Sequence, residues 1–120
     1  MRELKLCESD HRFMAVVWEN EPLTSGELVK RCEERLGWKK STTYTVLKKL
    51  SERGFLQNEN SVVTSRIPRE QVQTFESSYV VDNTFGGSLP AFIAAFTKGR
   101  TLTEEEAREI QRLIDQNREG

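Results

Sequence analysis

Between Lys39 and Lys49 the chain carries Ser41, Thr42, Tyr44 and Thr45, then Lys48 and Lys49, with no carboxylate among them. None of these groups has a base or metal ligand beside it to make it a catalyst. Together they are hydroxyls and fixed cations, the side-chain types that meet base edges and phosphates. Thr43, Val46, Leu47 and Leu50 recur at the first, fourth, fifth and eighth positions of one run, which predicts a helix with an apolar inner stripe. The hydroxyls and lysines lie on its outer face, an arrangement that suits the major groove of double-stranded DNA. Ser41, Thr42, Tyr44 and Thr45 are the expected readers of base edges, since a hydroxyl bonds to purine or pyrimidine and a threonine methyl can meet a thymine methyl. Tyr44 has a phosphate as its alternative target. Lys39, Lys40, Lys48 and Lys49 are expected at phosphates, where they set position rather than sequence.

Such a helix needs neighbours to hold it. A first helix is predicted from Ser9 to about Asn20, capped by Ser9, with Asp10 at its positive end and Phe13, Met14, Val17 and Trp18 inward. Glu21-Pro22 ends it. Thr24-Ser25-Gly26-Glu27 fits a capping box that opens a second helix, with Leu28, Val29, Cys32 and Leu36 inward and Gly37 as its stop. The polar-faced helix runs from Lys40 to Arg53 and halts at Gly54. Leu56-Gln57-Asn58 and Val62-Val63-Thr64-Ser65-Arg66 can pair across the polar Glu59-Asn60-Ser61 as a small wing, with Arg66 its one cation. Three helices and a hairpin make a winged helix-turn-helix over residues 1–67. Trp18 and Trp38 read as packing residues, with Trp38 also placed to buttress the turn before the third helix.

The texture changes at Pro68. A helix to about Phe85, a break at Gly86-Gly87, a short apolar helix opened by Ser88-Leu89-Pro90 and a last helix capped by Thr103 and Glu106 are expected over residues 68–120. Phe85, Leu89, Phe92, Ile93 and Phe96, with Ile110, Leu113 and Ile114 in the last helix, are more apolar surface than three small helices can cover. A second copy of the chain is the natural cover, so this region reads as a homodimerisation module, with a fold-back onto the winged helix as the alternative. The expected fold class is therefore mainly α with a small β-wing: an N-terminal winged helix-turn-helix plus a C-terminal helical dimerisation module. Two-fold symmetry would offer two reading helices to a palindromic operator.

Charge supports that division. The 120 residues carry a net charge of −1, but residues 39–53 hold five basic side chains and one acidic. Screening makes phosphate attraction local, so one basic face can bind DNA on a neutral protein. No apolar run approaches a membrane span, and the first residues lack the apolar stretch of a secretory signal, so no membrane insertion and a cytoplasmic location are expected. Cys7, Cys32 and the lone His11 do not stand at metal-ligand spacing; Cys32 reads as a buried thiol and Cys7 as a more exposed one. No metal or cofactor is expected, and an enzyme is not: there is no nucleophile beside a base and no glycine-rich phosphate loop.

Val17-Trp18-Glu19, Leu23-Thr24-Ser25-Gly26-Glu27-Leu28, Trp38, Ser41-Thr42-Thr43-Tyr44-Thr45-Val46-Leu47-Lys48-Lys49-Leu50, Gly54-Phe55-Leu56 and Phe85-Gly86-Gly87-Ser88 occur in an order and spacing that cover nearly the whole chain. In these the chain resembles the penicillinase-repressor family of BlaI and MecI, with the related copper-responsive CopY repressors. The resemblance implies a homodimeric winged-helix repressor that covers its promoter, and relief of repression by a cut within the dimerisation region, downstream of a membrane sensor-protease pathway. The matching bond is Ala95-Phe96. Relatives known for that cut carry asparagine where this chain has Ala95, so cleavage by the same protease does not follow from the resemblance. The cysteine-rich metal hook of the copper-responsive branch is missing from Asp115-Gln116-Asn117-Arg118-Glu119-Gly120. Where relatives often carry basic residues and a tyrosine in the wing, this chain has Asn58-Glu59-Asn60-Ser61-Val62-Val63. Two other readings stand beside this one: a winged-helix protein-interaction module without DNA binding, and a ligand-sensing regulator with a pocket between its subunits.

Overall fold

Phe13, Met14, Val16 and Val17 leave water almost completely, and the segment that carries them, α1 (Glu8–Asn20), is the wall on which the rest of the first unit is built. Full burial of each such side chain contributes about 1.5–3 kcal/mol. The computed structural model describes residues 3–119. After α1 come β1 (Leu23–Thr24), α2 (Ser25–Leu36), α3 (Lys40–Glu52), β2 (Leu56–Glu59), β3 (Val62–Ser65), α4 (Arg69–Thr84), α5 (Leu89–Lys98) and α6 (Glu104–Gln116). The fold is mainly helical with one small antiparallel sheet: a winged helix-turn-helix followed by a helical C-terminal region.

Local chemistry accounts for most element ends. Cys7, not the expected Ser9, occupies the cap position of α1; it makes no side-chain capping bond to the helix backbone, and its Sγ lies 3.4 Å from Ser9 Oγ. Thr24 caps α2 as expected, its Oγ1 accepting from the Glu27 amide at 3.1 Å. Gly37 ends α2 in the left-handed region (φ 69°), where a glycine carries no Cβ penalty. Thr103 and Glu106 form the complete capping box of α6: the Glu106 amide donates to Thr103 Oγ1 at 3.0 Å and the Thr103 amide to Glu106 Oε1 at 2.9 Å.

The sheet has one strand more than the sequence led us to expect. β1 pairs antiparallel with β3 (Leu23 opposite Val63, Thr24 opposite Val62), giving the order β1-β3-β2. A two-residue strand carries no alternation to reveal it, and its pairing is set by the tertiary fold. β2 and β3 form the expected hairpin, with Glu59 opposite Val62. Its turn is Asn60-Ser61 alone, both at positive φ (52° and 63°), as the tight turn that follows strand twist requires.

The chain divides into two compact units within α4, the first ending at Ser77 and the second starting at Ser78. In the first unit α1, α2, α3 and the sheet share a core that includes Leu28, Cys32, Leu47, Leu50, Phe55 and Val63. The start of α4 belongs to it: Val72 is fully buried, Phe75 packs against the same core, and Glu76 pairs with His11 of α1. The second unit is built differently. Phe92 meets Phe85 edge-on at 5.4 Å and lies 6.1 Å from Phe96, and Arg100 stands over the Phe96 ring at 4.5 Å. Yet no residue of α5 or α6 is buried. Leu89, Ile93, Phe96, Ile110, Leu113 and Ile114 are all exposed.

Candidate nucleic-acid interface

α3 presents two faces because its inner stripe is pinned from three sides. Val46, Leu47 and Leu50 enter the core, and Thr43 is buried with its Oγ1 donating to the Lys39 carbonyl at 3.3 Å. Beside Thr43, burial pushes the Cys32 thiol up; the Thr43 hydroxyl and the charge of Arg35 act in the opposite sense. Trp38 stacks on Phe13 (centroids 5.9 Å apart, planes at 14°) and its amide donates to the Cys32 carbonyl at 3.3 Å. That fixes the turn from which α3 departs, as a buttress there should. Both cysteines are free thiols, Cys7 exposed and Cys32 buried.

The outer face holds Lys39, Lys40, Ser41, Thr42, Tyr44, Thr45 and Lys48, all exposed. Lys39, Lys40 and Lys48 form no ion pair among the described residues; Lys40 Nζ lies 6.0 Å from the centre of the Tyr44 ring. Their charges are therefore available to an anion outside the chain. Thr45 is partly committed, because its Oγ1 donates to the Ser41 carbonyl at 2.9 Å. In that state it can accept from a base amino group but has no proton to give.

Lys49, expected at a phosphate, forms an ion pair within the chain. Its Nζ lies 2.8 Å from Asp10 Oδ1, and that carboxylate is only 3% exposed. The pair spans 39 positions of chain, and no local pattern could announce it. Arg53, one turn further on, brings a guanidinium nitrogen to 4.0 Å from Asp10 Oδ2, donates to the Lys5 carbonyl at 2.9 Å and packs over the Phe55 ring. In the sequence Asp10 is only a favourable charge at a helix start; burial makes it a tie between α1 and α3.

The wing is held from behind by a residue that sequence reasoning also passed over. Glu21 accepts from the Ser65 amide at 2.8 Å and from the Ser65 hydroxyl at 2.8–2.9 Å through both carboxylate oxygens. At the far end, the Ser25 amide donates to the Ser61 carbonyl at 2.9 Å, joining the wing turn to the start of α2. Arg66 is exposed at the base of the wing, where Trp18, Glu21, Ser65, Pro68 and Arg69 line a groove of about 290 Å³ with it. Trp18 donates from Nε1 to the Ile67 carbonyl at 3.0 Å. Glu19 joins three helices: Arg69 of α4 reaches it at 2.9 Å and Arg35 of α2 at 3.1 Å. The Arg69 hydrogen bond, with Arg35 assisting and desolvation opposing, holds the Glu19 carboxyl below the usual carboxylate range.

These features define a winged helix-turn-helix whose third helix has a polar, cationic outer face, followed by a helical module. The chain belongs to the penicillinase repressor family, whose sequence model matches residues 6–116. It is 20% identical over 118 residues to the "Penicillinase repressor" of Bacillus licheniformis, a match covering 95% of this chain and 92% of that protein. It is 21% identical over 114 residues to an "Uncharacterized 16.5 kDa protein in ptsI 3'region" of Latilactobacillus sakei, covering 92% of this chain and 78% of that one. Family membership implies a transcriptional repressor, a DNA-binding class rather than an enzymatic one. No helix among the described residues is long and apolar enough to cross a membrane.

Proposed function

We propose that the protein is a homodimeric repressor that reads a palindromic operator with α3 of each protomer. The observation that carries this reading is the outer face of α3: Ser41, Thr42, Tyr44 and Thr45 beside Lys39, Lys40 and Lys48, three cations that pair with no carboxylate among the described residues. Thr42 and Tyr44 are the base-edge readers with free hydroxyl chemistry, Ser41 and Thr45 act beside them, and Lys39, Lys40, Lys48 and Arg66 meet phosphates. The wing supplies one cation and a narrow polar turn, so its share of affinity is small.

Pairing of two chains is supported by the second unit. Side chains of the size of Phe96, Leu113 and Ile114 left in water are exposed apolar surface of the kind that marks an interface. A two-fold pairing through α5 and α6 covers them and supplies two reading helices at once. Ala95 and Phe96 are exposed within α5, where a cut would divide the pairing module and lift repression.

The experiment is fluorescence anisotropy of the purified protein on the DNA upstream of its own gene, against a mixed-sequence duplex, over a range of salt. Tight, salt-steep binding of one dimer to one palindrome is the expected result. Equal binding to both duplexes would remove the sequence-specific reading. Binding to neither would point to a winged helix that contacts proteins.

A further inference from the structure

Asp10 stands out in the first unit as the one buried carboxylate among the described residues. An ionised carboxylate taken out of water is costly unless it is matched by charge. Here the match is drawn from the reading helix itself. Lys49 Nζ lies 2.8 Å from Oδ1 and an Arg53 nitrogen 4.0 Å from Oδ2. Asp10 sits in the first turn of α1, where the helix dipole is positive, and the two cations sit at the end of α3, where it is negative.

Lys49 is not hidden by this arrangement. Its side chain is 47% exposed, and it shares a stripe of α3 with Thr42 and Thr45, seven and four positions before it. It is a cation on the flank of the reading face whose charge is spent inside the protein. Free lysines on that flank would attract any phosphate backbone, since such attraction carries no sequence information.

We propose that Asp10 is a positioning residue for DNA recognition: it withholds the Lys49 charge from the phosphate backbone and so lowers binding to unrelated sequence. The inference rests on the reading of α3 as the DNA-contacting helix. It adds that the reading face is tuned by subtraction. Three lysines are left to position the duplex and a fourth is drawn back beside the threonines, so that base contacts hold a larger share of total affinity.

The test is Asp10→Asn, which keeps the shape and removes the charge. Anisotropy on a mixed-sequence duplex is recorded against salt for wild type, Asp10→Asn and the double variant Asp10→Asn/Lys49→Gln, with circular dichroism as a check on folding. Release of Lys49 in both protomers steepens the slope of log affinity on log salt by about 1.8, or about twelvefold extra tightening on going from about 200 to about 50 mM salt. The double variant returns to the wild-type slope, which a merely structural role for Asp10 would not produce. A folded Asp10→Asn protein with the wild-type slope overturns the inference while leaving the DNA reading in place. Wild-type protein that binds no DNA overturns both. Should Asp10→Asn fail to fold, Lys49→Gln decides: an unchanged slope supports the withheld charge, and a loss of about 0.9 per protomer refutes it.

Discussion

Leu113 in α6 offers the sharpest test of pairing. It is 46% exposed in the single chain, so about half of its surface is left for a partner to cover. Full burial of a leucine is worth about 1.5–3 kcal/mol, and covering the exposed half against a partner about 1 kcal/mol. In a two-fold interface each substitution occurs twice, which makes about 2 kcal/mol per dimer. That is on the order of a thirtyfold rise in the dimer dissociation constant. Sedimentation equilibrium of wild type and variant across a concentration series reads this number directly, and circular dichroism confirms that α6 remains formed. Operator binding should shift to higher protein concentration by a similar factor in the range where the protein is mostly monomeric. An unchanged dissociation constant would show that the α6 stripe does not face a partner. A wild-type chain that stays monomeric at all concentrations would refute the pairing argument altogether.

Four further outcomes are expected. Thr42→Ala or Tyr44→Ala should lower affinity for the operator by about 1–3 kcal/mol while leaving binding to mixed-sequence DNA nearly unchanged, as read by competition anisotropy. Lys48→Ala should weaken binding to every sequence alike and flatten the salt slope by about 0.9 per protomer; a loss confined to one base pair would contradict the phosphate role. Because Arg69, with Arg35, depresses the Glu19 carboxyl in the folded state, its contribution to stability is present above the unfolded carboxylate range and fades as pH falls through the depressed value. Melting temperatures of wild type and Glu19→Gln should therefore differ near neutrality and converge in acid; a gap constant with pH would exclude this linkage. An alkylating reagent should modify Cys7 and spare Cys32 in the folded protein, since Cys32 is buried and its thiol is pushed up; equal rates at the two sites would show that the core around Thr43 opens freely.

α3 was legible because its evidence is local. Thr43, Val46, Leu47 and Leu50 lie within two turns, and all four are buried in the structure. Thr24, Thr103 and Gly37 act at the helix ends where their chemistry places them. What escaped the sequence depends on contacts distant along the chain. β1 exists because Leu23 and Thr24 meet Val63 and Val62, and two residues hold no period. Lys49 reads like its neighbour Lys48 in sequence, and only the packing of α1 against α3 puts a buried Asp10 within reach of one and not the other. Glu21 reads as the polar end of a helix until the wing folds back and brings Ser65 to it. The apolar side chains of α5 and α6 were countable from sequence, and the structure shows that the single chain leaves many of them in water.

The division of the chain inside α4 bears on how a repressor of this design would let go of DNA. Val72, Phe75 and Glu76 keep the start of α4 on the first unit, so every contact described around α3 lies on the near side of Ser77. Breakage at Ala95-Phe96 would leave that unit whole. In the proposed dimer, what it would abolish is avidity: two heads tethered as one bivalent ligand, each raising the effective concentration of the other, would become two independent weak ligands. Release in such a device is an arithmetic of valence, reached without unfolding the part that recognises sequence.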